Sequence, residues 1–262
     1  MTKFTKAHAY GNDFLYIESH ETGGAALPAL ARELCERHTG IGADGLIVYD
    51  RTDEGASMRL FNADGSRAEV SGNGVRALGA ILLQDDASEE AAVAIRTEGG
   101  VKTLIRLGRS GSRHTFRAAM GVPDTLRQAS IFAAGGLIEV VLLGIGNPHC
   151  VVIGPLPDQE RFRQLGAMLE RHGSFPAGTN VEFAEVERAD SLRILIWERG
   201  VGPTTSSGTG SCAALVAAAA FGGAARAAEV VAPGGAQHVE WREDGVYLTG
   251  WAEILFDGRW IR

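Results

Sequence analysis

Apolar and polar positions alternate in short runs along this chain, and the runs predict strands. Residues 4–9 and 14–18 read as two strands around the Gly11-Asn12 turn, and 45–49, 58–61 and 101–107 as further short strands. In the second half, residues 137–143, 151–153, 181–186 and 193–197 read the same way. Helical spacing appears at 29–37, ending near Gly40. Two more helices are predicted over 74–84 and 210–221, each directly behind a Ser-Gly-x-Gly sequence. The second is almost wholly Ala, Leu and Val, so it lacks a polar face and should be buried on every side.

The loops between these elements recur at one spacing. Gly11-Asn12 returns as Gly146-Asn147, 135 residues later; Gly42 returns as Gly178, Asn62 is matched in place by Glu198, and Ser71 returns as Ser207, each 136 residues later. That period is too long for a solenoid repeat. It predicts two homologous halves whose matching loops face one cleft. The expected fold class is α+β: two pseudo-symmetric lobes, each a mostly antiparallel sheet or barrel wrapped around a central apolar helix. Residues 1–117, with 251–262 returning as a strand hairpin, form the expected N-terminal lobe, and 118–250 the C-terminal lobe. The segment 115–124 is the expected crossover.

Composition narrows the class. The chain has 262 residues, 45% hydrophobic and 22% charged, enough for one large or two modest domains. Its longest apolar run, 213–221, is short of the roughly 20 residues that span a bilayer, and the first residues lack a secretory core. A net charge of −7 with only Lys3, Lys6 and Lys102 as lysines is the reverse of a nucleic-acid binder. Three widely spaced cysteines (Cys35, Cys150, Cys212) suggest neither a disulfide framework nor a metal site. A cytoplasmic protein with no membrane or nucleic-acid partner is expected. The five asparagines (12, 62, 73, 147, 180) all sit beside glycine or in such polar turns. Turn-making alone would scatter them more widely, so a cleft for a polar ligand is the better reading.

A helix N-terminus carries unpaired amides and partial positive charge, and so attracts a carboxylate or phosphate. Neither Ser-Gly-x-Gly loop is a P-loop, and no lysine lies near either. An α-carboxylate held by two such ends would put its α-carbon between residues 71 and 207, the geometry a two-base racemase needs.

Here the residues resemble a family. Lys6-Ala7-His8-Ala9-Tyr10-Gly11-Asn12-Asp13-Phe14, Gly40-Ile41-Gly42-Ala43-Asp44-Gly45, Asn62-Ala63-Asp64-Gly65-Ser66 and Gly72-Asn73-Gly74-Val75-Arg76 are similar to motifs of diaminopimelate epimerase. So are Gly146-Asn147-Pro148-His149-Cys150-Val151, Gly178-Thr179-Asn180-Val181, Glu198-Arg199-Gly200-Val201-Gly202 and Gly208-Thr209-Gly210. The resemblance runs in order from residue 4 to about 258. It implies a cofactor-independent isomerase, generally a homodimer, that interconverts L,L- and meso-diaminopimelate for lysine and peptidoglycan synthesis. It further implies that Asn12, Asn62, Asn147, Asn180 and Arg199 bind the amino-acid substrate. Gly72, Asn73, Gly208 and Thr209 would hold the reacting carboxylate, with His149 and Glu198 supporting the catalytic groups and the substrate ammonium.

One departure bears on the chemistry. The family has cysteine where this chain has Ser71 and Ser207. A thiol with pKa near 8.5 can be brought into the working range by a helix N-terminus, whereas a serine hydroxyl needs an adjacent base, and no local motif supplies one. Pro203 also replaces a usual glutamate, Ser206 a usual alanine, Gly45 a frequent glutamine, and Phe256 a tyrosine found in some members at the dimer contact. Two origins for the serines stand: a double Cys→Ser variant made to trap ligand, or a natural branch, which Pro203 and Ser206 favour. Beside diaminopimelate epimerisation stand two alternatives: a related racemase, isomerase or dehydratase on another amino or hydroxy acid, and a non-catalytic amino-acid-binding protein.

Overall fold

The computed structural model describes residues 1–88 and 90–261. Two compact units emerge, one comprising Met1–Ala118 with the segment from Trp251 onward, the other Ala119–Gly250. The first holds β1 (Thr2–Ala9), β2 (Asn12–Glu18), α1 (Leu27–Cys35), β3 (Gly45–Thr52), β4 (Gly55–Asn62), β5 (Arg67–Ala68), α2 (Gly72–Leu82), β6 (Ala92–Thr97), β7 (Gly100–Ser110) and most of β8 (Arg113–Gly121). The second holds β9 (Asp124–Ala133), β10 (Gly136–Gly144), β11 (Pro148–Ile153), α3 (Gln159–Glu170), β12 (Asn180–Arg188), β13 (Ser191–Glu198), β14 (Gly202–Thr204), α4 (Gly208–Ala217), β15 (Ala227–Ala232) and β16 (Gly235–Arg242). It also takes the first part of β17 (Gly245–Trp260), whose remainder belongs to the first unit.

Each unit is built by the same succession of pairings. In the first, β1–β2 is antiparallel, β2–β3 parallel, β3–β4 antiparallel, β4–β6 parallel, and β6–β7 and β7–β8 antiparallel. β17 pairs with both β1 and β8, closing an eight-stranded barrel. In the second, β10–β11, β11–β12, β12–β13, β13–β15, β15–β16 and β16–β17 repeat that order of senses. β9 lies antiparallel to β10, as β17 does to β1. The register repeats too: Phe14 opposite Gly45 and Tyr16 opposite Ile47 correspond to His149 opposite Asn180 and Val151 opposite Glu182.

The strands next to the helices are buried on both faces, which is why they read as unbroken apolar runs. In β3, Leu46 and Val48 pack with Leu30, Ala31 and Leu34 of α1, while Ile47 and Tyr49 face Val75, Leu78 and Ile81 of α2. In β12, Val181 and Phe183 pack with Phe162, Leu165 and Leu169 of α3, while Ala184 faces α4. Glu182 therefore points to the α4 side, the direction set by the two-residue period of the strand. Residues 210–217 of α4 are all buried, as its composition requires. Each large apolar side chain removed from water there contributes roughly 1.5–3 kcal/mol.

Two expectations are corrected. Residues 251–260 are not a hairpin but the end of one strand, and Gly258 is needed because the Phe4 ring covers it, not because the chain turns. The chain passes from the first unit to the second at Ala118/Ala119, inside the segment 115–124, which is mostly strand β8. The helix expected to reach 221 stops at Ala217 and continues as a wider π-turn to Gly222, closed by Gly223 at φ 80°. α3 and the strands β5, β6, β8, β9, β14, β15 and β16 were not foreseen.

Candidate functional site

The first half-site gathers at the N-terminus of α2. Ser71 is the N-cap: its backbone is extended, and its hydroxyl accepts from Gly74 N at 3.1 Å. Gly74 is glycine because a Cβ there would lie 2.7 Å from Ile47 Cδ1, so the helix start lies tight on β3. Asn73 is buried and donates from Nδ2 to Asn12 Oδ1 at 3.3 Å. Arg76 Nη2 donates to Asn73 Oδ1, and Asn12 Nδ2 donates to Asp44 Oδ2 at 2.9 Å. One end of this chain is a carboxylate, an acceptor only, and the other a guanidinium, a donor only. Both amides between them are thereby locked in a single orientation. Behind Asn12, Asp13 meets Lys6 at 2.9 Å and Arg37 at 3.0 Å. Burial alone would push its carboxyl up, and these two cations outweigh that and hold it below the usual range. Asn62 ends β4, exposed, with its Nδ2 on Ser66 Oγ at 3.0 Å, outside this chain of bonds.

The second half-site gathers at the N-terminus of α4. Ser207 repeats the N-cap, accepting from Gly210 N at 3.2 Å. His149, on β11, places Nδ1 2.8 Å from Glu182 Oε1 and Nε2 2.9 Å from Asn147 Oδ1. The side chains of His149 and Glu182 are fully buried. A Cβ built on Gly210 would lie 2.8 Å from Glu182 Oε1 and 3.2 Å from Ser207 Oγ, so those two oxygens are at most about 6 Å apart. Glu198, half-buried at the end of β13, accepts from Thr204 Oγ1 at 2.8 Å. Burial pushes its carboxyl above the usual range and the Glu182 charge adds to this, against the Thr204 hydrogen bond and His149. Asn180 donates to Pro148 O at 2.9 Å and accepts from Arg199 N at 3.1 Å. The Arg199 side chain emerges exposed beside Gly178.

The expected residues thus fall into two groups, Asn12, Asn62, Ser71, Gly72 and Asn73 in one unit, and Asn147, His149, Asn180, Glu198, Arg199, Ser207, Gly208 and Thr209 in the other. Asp44, Arg76, Thr204 and Glu182 were missed. Glu182 had a weak signal, an acid between the apolar Val181 and Phe183, and Asp44 and Arg76 lay inside motifs already singled out. The three cysteines are buried, and burial, helped by Glu182, pushes the Cys150 thiol far up, so it takes no part as a base. Among the described residues no group of three or more His, Cys, Asp or Glu side chains is placed to hold a metal ion. No helix among them is long and apolar enough to cross a membrane.

This two-unit fold is one that solved structures of racemases, epimerases and an isomerase share. A predicted epimerase from Pseudomonas aeruginosa superposes with a TM-score of 0.77 at 16% identity over 100% of both chains. A hydroxyproline epimerase from Agrobacterium vitis superposes at 0.71 and 17% identity, covering 98% of this chain and 91% of that one. The particular family is shown by sequence. The family model described as diaminopimelate epimerase matches residues 4–124 and 141–255, and the diaminopimelate epimerase of Desulforudis audaxviator is 40% identical over 99% of both chains. The chain belongs to the diaminopimelate epimerase family and is an isomerase of that type.

Proposed function

We propose that the protein binds diaminopimelate and exchanges the proton on one of its α-carbons, with Ser71 and Ser207 standing where thiols would act. The observation that carries this is that both serines cap buried helices in the same way, each hydroxyl accepting from the third amide of its helix. The amides ahead of it, of Gly72 and Asn73 and of Gly208 and Thr209, are those a carboxylate would engage. Asn12, Asn62, Asn147 and Asn180 supply the polar lining, and the exposed Arg199 guanidinium suits the distal carboxylate bidentately. His149 and Glu198 supply acid–base support and a counter-charge for the substrate ammonium. Two-base epimerisation requires the half-sites to address opposite faces of one α-carbon. The reading includes a cofactor-independent reaction in lysine biosynthesis, a homodimeric assembly and a cytoplasmic address.

Serine lacks an ionisation near neutrality, so turnover is slow. Restoring the sulfur in a Ser71→Cys/Ser207→Cys double variant should raise α-proton exchange by roughly 10²–10⁴-fold, the range of general acid–base catalysis. The check is ¹H NMR of diaminopimelate in D₂O, and an unaltered exchange rate would count against the reading.

A second reading rests on Glu198. Its raised carboxyl can accept a proton without either serine, giving a one-sided isomerisation or dehydration of another amino or hydroxy acid. A thermal-shift panel of such acids separates the two, since stabilisation by diaminopimelate alone leaves this second reading without support.

A further inference from the structure

The duplication supplies an internal control for which polar groups the fold itself needs. The register that places Tyr16 opposite Ile47 in β2–β3 places Val151 opposite Glu182 in β11–β12, and the step that relates these pairs takes Phe14 to His149. Gly74 lies against Ile47 in one unit, and Gly210 lies against Glu182 in the other. The same two scaffold positions are therefore filled by Phe and Ile in the first unit and by a fully buried His–Glu pair in the second. Burying a carboxylate and an imidazole carries a desolvation penalty, and apolar replacements of such pairs are often neutral or stabilising. The first unit shows that the barrel is built without them. Glu182 Oε2 moreover lies buried with no hydrogen-bond partner among the described residues. A group that the architecture does not require, and that is left half satisfied, is retained for what it does to its neighbour.

We infer that Glu182 is a positioning residue that fixes the proton of His149 on Nδ1, leaving Nε2 as the atom that takes up or releases a proton. The carboxylate is an acceptor, so the nitrogen 2.8 Å from Oε1 must be the donor. Nε2 faces Asn147 at 2.9 Å. When Nε2 carries a proton it donates to the Asn147 carbonyl oxygen. When it does not, the Asn147 amide turns its NH₂ toward it. The proton on His149 and the orientation of a substrate-binding amide are thereby tied together, and the positive charge gained at the ring is held by Glu182. The other groups facing the pair are Glu198, Cys150 beside His149 on β11, and the amide end of α4 at Gly210. This deepens the function proposed above and rests on it for its role in proton exchange, though not for the tautomer.

Two measurements keep those apart. Long-range ¹H–¹⁵N spectra of the full chain, labelled at histidine and recorded with the ring neutral, should show the His149 proton on Nδ1 and none on Nε2. A neutral ring with its proton on Nε2 overturns the inference whatever the activity. A Glu182→Ile/His149→Phe variant, which rebuilds the pair of the first unit, should melt no lower than the parent protein. A large fall in Tm would make the pair structural and overturn the inference too. In the Ser71→Cys/Ser207→Cys background, Glu182→Gln should lower kcat for diaminopimelate exchange by about 10²-fold, move the acid limb of the pH–rate profile, and leave KM within about twofold. An unchanged kcat with an unchanged profile refutes the positioning role. Absence of exchange in that background itself refutes the proposed function while the NMR result stands alone.

Discussion

At the residue scale, the serines have a structural role that is independent of catalysis. Each caps a helix whose body is buried, and replacing such a cap by alanine costs about 1 kcal/mol. Ser71→Ala and Ser207→Ala should each lose about that much in urea unfolding. Sulfur accepts hydrogen bonds weakly, so the cysteine-restored variant should trade part of this stability for rate. The chain from Asp44 through Asn12 and Asn73 to Arg76 gives a second test. Asp44 is partly exposed, so Asp44→Asn should leave the fold intact while removing the acceptor-only end that locks Asn12. Affinity for diaminopimelate by calorimetry should fall about fivefold to tenfold, the worth of one hydrogen bond of about 1–1.5 kcal/mol. The serines and asparagines were legible because glycine-flanked polar residues stand out. The partnership of Glu182 was not, because nothing local in the chain says that residue 182 will meet residue 149.

At the element scale, close approaches decide what each position tolerates. A Cβ on Gly45 would sit 2.6 Å from the Phe61 carbonyl oxygen, which is backbone and cannot swing aside. Gly45→Gln, which installs the residue frequent in the family, should therefore cost about 1–3 kcal/mol by overpacking, read as a lower midpoint in denaturant. Had the chain been able to restore a substrate contact at this position without strain, the midpoint would not move. The two central helices were legible because a Ser-Gly-x-Gly start and an Ala/Leu/Val body state both where the helix begins and how it is buried. α3 was not, because its mean polarity is high and Gly166 interrupts it, the glycine being required where the Trp197 ring packs against the helix at 2.7 Å from a would-be Cβ. Nor was β9, whose polar residues mask its period because much of the strand is exposed. β17 runs on as a single strand rather than a hairpin, and Gly258 within it is required because the Phe4 ring lies over it.

At the scale of the whole molecule, duplication explains why the fold was readable from four short motifs, since spacing that survives in both halves is set by common topology. What the repeat leaves open is where the halves diverge, and one such place governs acid stability. His114 on β8 is fully buried in the first unit, stacked on Phe116 at 18° and 6.1 Å, and neither ring nitrogen has a hydrogen-bond partner among the described residues. Burial first, then the charges of Arg109 and Arg106, pull its pKa down to about 4 from 6.5. A base whose folded pKa is depressed binds its proton preferentially in the unfolded chain. The stability it permits is complete above about pH 6.5 and is lost as pH falls toward 4, by a total on the order of 3 kcal/mol. His114→Leu should abolish this part of the acid limb: Tm at pH 7 should hold or rise, since two unsatisfied buried nitrogens are removed, and the drop in Tm between pH 7 and pH 4 should shrink. If parent and variant lose the same number of degrees over that interval, the acid sensitivity resides elsewhere, in carboxylates such as Asp13, whose folded pKa is also depressed but whose loss of stability comes at lower pH.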